Sequence, residues 1–166
     1  MIEEHEIDVV FDIYQQNCID YNIPPKPKEC IRYLINEGRV NPHVKTYVAI
    51  LNEKIIAALI MIYSPATASY YLPCSIHEYR SYQPTTYLIN HAINESVSRG
   101  IKYWNWESSP SKDSGVFKFK KKWGSLDGNY KIYVKLYKEV DFYRKFGQES
   151  ISNLFPYFFV YPFNKL

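Results

Sequence analysis

The feature that most constrains this chain is an almost continuous apolar run from Ile55 to Ile62. The run predicts a strand over Ile55–Tyr63, and residues Asn52–Lys54 before it indicate a tight hairpin turn. A strand with one face in water alternates apolar and polar residues, and this one does not. We therefore expect it to be buried on both faces, with helices covering the sheet.

The flanking segments predict further helices and strands. Apolar residues at helical spacing indicate helices over Val9–Tyr21 and Lys28–Asn36, with Gly38 as the stop of the second. The other predicted strands are Thr46–Leu51, Thr67–Leu72, Ile101–Trp106 and Tyr130–Tyr137, and the other predicted helices are Pro84–Arg99, Gly115–Trp123 with Ser114 as its N-cap, and Asp141–Glu149. This order predicts an α/β fold of the α+β type, a single domain over residues 1–166 with a mixed central sheet and helices on both faces.

Composition and charge exclude several classes of protein. With 46% apolar residues, the 166-residue chain is expected to fold rather than to stay disordered. Its formal net charge of +3 is too small to indicate nucleic-acid binding by itself. Cys18, Cys30 and Cys74 have no CxxC spacing, and the histidines and carboxylates show no metal-ligand spacing. We therefore expect neither a disulfide framework nor a metal site.

The ends of the chain bear on location. The first six residues are acidic and polar, unlike a signal peptide. The apolar run 154–163 is interrupted by Pro156 and Pro162, and no stretch approaches the roughly 18 apolar residues of a membrane span. We therefore expect a cytoplasmic protein.

Four segments of the chain resemble, in order and spacing, the GNAT superfamily and within it the C-terminal domain of FemAB-like enzymes. They are Asn52–Ala58, Tyr79–Pro84 followed by Leu88, Arg99–Trp106, and Gly115–Gly124. The last is the most specific, because it resembles the family's Phe-Lys element, Gly-x-x-x-Phe-Lys-x-x-(Phe/Trp)-Gly. The resemblance implies a GNAT fold and the transfer of an aminoacyl or acyl group to an amine. FemAB-like enzymes pair two such domains, whereas one is predicted here, which fits a fragment, a standalone relative or one half of an assembly.

Two departures from ordinary GNAT enzymes concern the donor. Those enzymes enter the central helix with two small residues that let backbone N–H groups approach a pyrophosphate. Here Gln83 and Thr85 take those positions, and Pro84 supplies no N–H. Lys120 also stands where many GNAT enzymes place a tyrosine acid. Both departures favour the FemAB-like branch, whose donor is an aminoacyl-tRNA, and no tightly bound cofactor is expected.

The candidate catalytic residues are Lys120 and Glu107. Lys120 belongs to the Phe-Lys element and would stabilise an oxyanion or hold a donor phosphate. Glu107 closes a strand at the position where α/β sheets commonly place site residues, and it would take the proton of the amine. The candidate donor-binding residues are Arg80, Phe119, Lys118, Thr85 and Thr86. The structural alternatives are a solvated helix face for the lysines, core packing for Phe119, a surface ion pair for Arg80 and a turn for Glu107.

Two other functions stay open at this point. One is an N-acetyltransferase that uses acyl-CoA through a modified loop, and the other is a non-catalytic binding or assembly module. The partners that fit the leading hypothesis are a small-molecule or cell-wall-precursor amine, a tRNA and a second copy in a homo-oligomer.

Overall fold

The computed structural model describes residues 3–109, 111–129, 133, 135, 137–142, 144–145 and 149–150. The chain divides into two compact units, Met1–Ser125 and Leu126–Leu166. The helices of the first unit are α1 (Glu4–Asp20), α2 (Lys28–Val40), a 3-10 helix (His77–Tyr82), α3 (Pro84–Ser98) and α4 (Gly115–Lys122). Its strands are β1 (Val44–Leu51), β2 (Lys54–Tyr63), β3 (Thr67–Ser75) and β4 (Tyr103–Asn105).

The four strands form one mixed sheet in the order β1-β2-β3-β4. β1, β2 and β3 are antiparallel neighbours, while β3 and β4 run parallel. The predicted turn joins β1 to β2, and both of its central residues, Asn52 and Glu53, have positive φ angles of 48° and 62°. Such two-residue turns match the right-handed twist of the strands they join. The mixed sheet and its helices confirm the predicted fold class.

β2 is buried on both faces, as its apolar run predicts. α1 and α2 cover one face, where Ile60 belongs to the core, and α3 covers the other, where Leu59 belongs to the core. Both side chains are 0% exposed. Removing each from water contributes about 1.5–3 kcal/mol to folding, which makes this strand the centre of the unit.

A β-bulge on β3 shapes one edge of the sheet. Tyr70 pairs with Met61 and Leu72 pairs with Ile60, so Tyr71 is an extra residue on β3. The bulge reverses the alternation of the strand: Tyr70 packs on the α3 side and Leu72 on the α1 side. Bulges bend a strand and locally disrupt its ladder. β3 pairs with β4 from Thr67 to Ser69, where β4 ends at Asn105, while β3 continues to Ser75.

Several predicted boundaries were wrong, and one of them has a steric reason. Gly38 does not stop α2, which continues to Val40. A Cβ atom on Gly38 would lie 3.3 Å from the carbonyl oxygen of Val44, so the glycine lets α2 approach the backbone of β1. β3 extends to Ser75 rather than Leu72, and the 3-10 helix was not predicted.

The end of the chain is described only in part. The predicted strand Tyr130–Tyr137 lies largely outside the described residues. Of the predicted helix 141–149, the described positions are helical, and Arg144 forms an ion pair of 2.9 Å with Asp141 one turn earlier.

Candidate functional site

The site lies where β3 and β4 part, which we call the cleft. The last residue pair of these parallel strands is Ser69 with Asn105. The carboxyl ends of parallel strands lie on the same side of a sheet. The 3-10 helix and the start of α3, which follow β3, therefore lie on the side where β4 also ends. Ligands of α/β sheets bind outside the carboxyl ends of strands at such points of separation.

Glu107 lies at the mouth of the cleft in a constrained conformation. Its backbone N–H donates to Oδ1 of Asn105 (2.9 Å), and Nδ2 of Asn105 donates to its carboxylate (2.9 Å). The same Nδ2 contacts Oγ of Ser69 on β3 at 3.3 Å. Glu107 has a left-handed φ of 55°, a conformation that costs a non-glycine residue of the order of 1 kcal/mol or more. The side chain is exposed, so its carboxylate is both held in place and accessible.

Lys120 approaches the same loop from α4. Its ammonium donates to the carbonyl oxygens of Ser108 (2.6 Å) and Glu107 (3.3 Å), and the residue is only 6% exposed. Burial lowers the pKa of Lys120 below its ordinary value, against the opposing attraction of the Glu107 carboxylate. The structure therefore brings the two predicted catalytic residues together, with the lysine holding the backbone that carries the glutamate.

Local sequence explains how α4 delivers this lysine. Ser114 caps the helix as predicted, since its Oγ accepts from the N–H of Phe117 at 3.1 Å. Lys120 then lies within the last turn of α4, facing inward, while Lys118 and Lys122 are exposed. The solvated helix face that the sequence offered as an alternative thus applies to those two lysines and not to Lys120.

An aromatic cluster lines the cleft on the α3 side of the sheet. Trp106 is at its centre, with ring centroids 5.3 Å from Tyr70, 5.5 Å from Trp104, 6.4 Å from Phe119 and 6.0 Å from Trp123. Phe119 is partly buried in this cluster, so packing is its observed role. Burial also raises the pKa of the Tyr70 hydroxyl above its ordinary value. The cluster extends the core on the α3 side of the sheet next to Glu107 and Lys120.

The predicted donor-binding residues at the start of α3 are arranged differently. Gln83 is left-handed, with φ 55°, and its side chain accepts from the hydroxyl of Thr86 at 3.1 Å. Because Pro84 lacks an N–H and Tyr87 N–H bonds to Gln83, only the N–H groups of Thr85 and Thr86 point out of this helix end.

Arg80 lies against α1. Its guanidinium is 3.9 Å from the carboxylate of Asp20 and lies over the ring of Tyr21, 5.9 Å from the centroid. In the described part of the chain, no hydrogen bond or ion pair joins Arg80 to Glu107 or Lys120. The predicted site residues thus fall into two groups, one at the cleft and one at the junction of the 3-10 helix with α1 and α3.

Sequence reasoning missed Asn105 and Ser69. A signal for Asn105 was available, since asparagine commonly bonds the backbone two residues further on, as it does here with Glu107. Ser69 had no local signal, because its contact with Asn105 depends on the pairing of β3 with β4.

Three solved structures that resemble this chain are acetyltransferases. A possible acetyltransferase from Clostridium difficile 630 has a TM-score of 0.68 at 11% identity, over 82% of this chain and 95% of its own. A predicted acetyltransferase from Clostridium acetobutylicum, solved with acetyl-CoA, has a TM-score of 0.61 at 19% identity, over 80% and 92%. An aminoglycoside acetyltransferase from an uncultured soil metagenomic sample, in complex with sisomicin, has a TM-score of 0.60 at 15% identity, over 79% and 88%.

The fold is that of the GNAT acyltransferases, as the sequence predicted. The model of the FemAB family matches residues 40–138, more than half of the chain, and the chain belongs to that family. No curated protein matches the chain in sequence.

Two further observations apply to the described residues alone. None of their helices has the length and apolar content needed to cross a bilayer. Nor do they contain a group of three or more His, Cys, Asp or Glu side chains that could hold a metal ion.

Proposed function

We propose that the cleft transfers an aminoacyl or acyl group to an amine, with Glu107 as the general base. The observation that carries this proposal is the fixed, accessible carboxylate of Glu107 at the point where β3 and β4 part. A general base must be positioned before the amine arrives, and two hydrogen bonds with Asn105 supply that positioning. The strained backbone of Glu107 is the kind of feature that concentrates at functional sites.

The reaction follows from this arrangement. The amine nitrogen attacks the acyl carbon of an ester or thioester, and its proton passes to the Glu107 carboxylate. The carbon–oxygen or carbon–sulfur bond then breaks, and the leaving oxygen or sulfur takes this proton back from Glu107 to depart as the alcohol or thiol. An oxyanion develops during the attack, and backbone N–H groups or a cation near it lower the barrier.

Lys120 supports the proposal as a positioning residue. An ammonium group has three N–H donors, and Lys120 directs its donors at the carbonyl oxygens of Ser108 and Glu107. Since this side chain is nearly fully buried, we assign it to holding the loop rather than to the oxyanion that its motif first indicated.

The start of α3 supports an aminoacyl-tRNA as the donor. With only Thr85 and Thr86 offering N–H groups, this helix end is a weaker pyrophosphate cradle than one with an unblocked first turn. The exposed lysines of α4 supply positive charge suited to tRNA phosphates. Acyl-CoA is the second candidate donor, favoured by the two N–H groups that remain and by the acetyl-CoA bound in the Clostridium acetobutylicum structure. Phe119 stays a predicted donor contact, whereas Arg80 lies against the end of α1, away from the cleft.

The first experiment measures thermal stability with acetyl-CoA and, separately, transfer from a charged tRNA to amine acceptors. Ligand at about a hundred times its dissociation constant stabilises by roughly 2.7 kcal/mol, so an upward shift with acetyl-CoA would favour acyl-CoA as donor. In whichever transfer assay is active, Glu107→Gln keeps the hydrogen-bonding shape but cannot take a proton, and the rate is expected to fall by about 10²–10⁴.

The matched control is Glu29→Gln, an exposed glutamate on α2. It should leave the rate unchanged. Equal rates for Glu107→Gln and the wild-type protein would refute Glu107 as the base. If neither donor binds or reacts, the protein is the non-catalytic module that the sequence left as an alternative.

A further inference from the structure

A cavity of about 580 Å³ lies between the end of α1 and the 3-10 helix, outside the cleft. It opens beside Ser75, the last residue of β3, and so lies at the same edge of the sheet as the cleft. Volumes in this range suit small organic ligands rather than single ions. None of the residues assigned to the cleft lines it.

Its wall is firmly built. The side-chain amide of Asn17 on α1 pairs with the backbone of Ser75, donating to its carbonyl at 2.8 Å and accepting from its N–H at 2.9 Å. These two bonds tie α1 to the end of β3 in the manner of a strand pair. One wall of the cavity is therefore held in place by side-chain to backbone hydrogen bonds.

The cavity carries charges of both signs whose hydrogen-bonding capacity is only partly used. The guanidinium of Arg80 is 3.9 Å from the carboxylate of Asp20, too far for a hydrogen bond. In the part of the chain that the structure describes, that guanidinium donates no hydrogen bond and the carboxylate of Glu78 accepts none. The other oxygen of Asp20 is held by Gln16 at 3.0 Å. A guanidinium with five N–H donors facing a cavity calls for an anionic group, and the carboxylates call for a cation.

We propose that this cavity binds a zwitterion of the α-amino-acid type. Arg80 takes the carboxylate of the ligand, Asp20 and Glu78 take its ammonium group, and the apolar side chains of Ile13 and Ile76 in the lining contact its side chain. Two carboxylates against one guanidinium leave the cavity with an excess negative charge, which disfavours a purely anionic ligand such as a phosphate. That this amino acid is the acyl acceptor rests on the proposed function, whereas its binding does not.

The test uses three probes that share one alkyl chain. L-Norleucine carries both charged groups, hexanoate only the carboxylate and 1-aminopentane only the ammonium. Each is titrated into the full chain without any acyl donor, and binding is followed by the NMR shifts of backbone amides at Tyr21, Ile76 and His77. We expect norleucine to bind at least about tenfold more tightly than either single-charge probe, since a charge-assisted hydrogen bond lost is worth that much or more. Hexanoate should bind most weakly.

Two variants with matched controls test which side chain binds each charged group of the ligand. Arg80→Gln should weaken norleucine by about tenfold but should not weaken 1-aminopentane, since the variant removes a positive charge beside Asp20. Asp20→Asn should weaken both norleucine and 1-aminopentane. Lys102→Gln removes a positive charge from an exposed position, and Asp12→Asn removes a negative charge from an exposed position on α1; neither should alter binding.

The proposal is overturned if norleucine does not shift these amides, if all three probes bind alike, or if Arg80→Gln binds norleucine as the wild type does. Such a result, together with transfer activity that depends on Glu107, would leave the proposed function standing. Norleucine binding in a protein that transfers no acyl group would instead leave the cavity as an amino-acid site and remove the catalytic role of the cleft.

Discussion

Replacing Lys120 by methionine tests whether this lysine serves mainly to position Glu107 or mainly to stabilise the fold. Methionine keeps the unbranched side chain up to the position of Cε but removes the ammonium that bonds to the carbonyl oxygens of Ser108 and Glu107. Two bonds from a charged donor are worth about 3–6 kcal/mol in total. Against this stands the cost of burying an ammonium with no hydrogen-bonded carboxylate, which is several kcal/mol. The two contributions nearly cancel.

The expected change in unfolding free energy is therefore within about 2 kcal/mol, or a melting temperature shift of no more than about 4–8 °C for a chain of this length. Activity should fall much further, by about 10–100-fold, because a small displacement of the loop moves the Glu107 carboxylate away from the amine. The assays are thermal denaturation and acyl transfer with the active donor. Lys122→Met, at an exposed position of the same helix, is the control.

The pH dependence of stability offers an independent readout. Lys120 has a folded-state pKa below its ordinary value of 10.5, so the unfolded chain binds more protons between the folded and unfolded values. The stability of the wild type relative to Lys120→Met should therefore increase as the pH rises through that window. The reasoning fails if activity is retained in the variant, or if the relative stability falls with rising pH.

The remaining predictions concern the packing and charge of the first unit. Gly115→Ala should stabilise the protein by about 0.5–1 kcal/mol, because a Cβ atom there meets no other atom and alanine favours the helix. Gly38→Ala should give no such gain, because its Cβ atom would press on the carbonyl of Val44. Equal gains for both variants in urea denaturation would refute the steric argument. Glu95 on α3 accepts from the hydroxyl of Tyr47 at 2.9 Å. Burial alone would raise the pKa of Glu95, but hydrogen bonds from Lys45 and Tyr47 hold it below the ordinary 4.5. A lowered carboxyl pKa contributes stability above the unfolded value that is lost as the pH falls, so Glu95→Gln should be less stable than wild type at neutral pH and the difference should shrink below about pH 4.5; a difference independent of pH in denaturant titrations would contradict this.

Local sequence patterns were sufficient to predict most of the helices and strands of the first unit. The apolar run of β2 predicted burial on both faces, because a strand with no polar alternation has no side to present to water. Helical spacing located α1 and α3, and the turn at Asn52 joined the hairpin as expected. The Phe-Lys element marked Lys120 and the end of a strand marked Glu107, although neither pattern contains the contact between them.

Other features depend on residues far apart in the chain, and no local pattern carries them. The bulge at Tyr71 follows from the register of β3 against β2, and the short pairing of β3 with β4 depends on segments more than 30 residues apart. Likewise, the burial of Lys120 under the loop of Glu107 follows from how α4 packs on the sheet. In an isolated short helix, Lys120 would be exposed to water, as Lys118 is in the folded protein. Gly38 in α2 is a further example. A glycine near the end of a helical pattern is typical of a helix stop, but here it is required by the close approach of Val44 on β1. Hydrophobic periodicity is a property of neighbouring residues and survives in the sequence, whereas register, close approach and burial of a charge are decided only when distant segments meet.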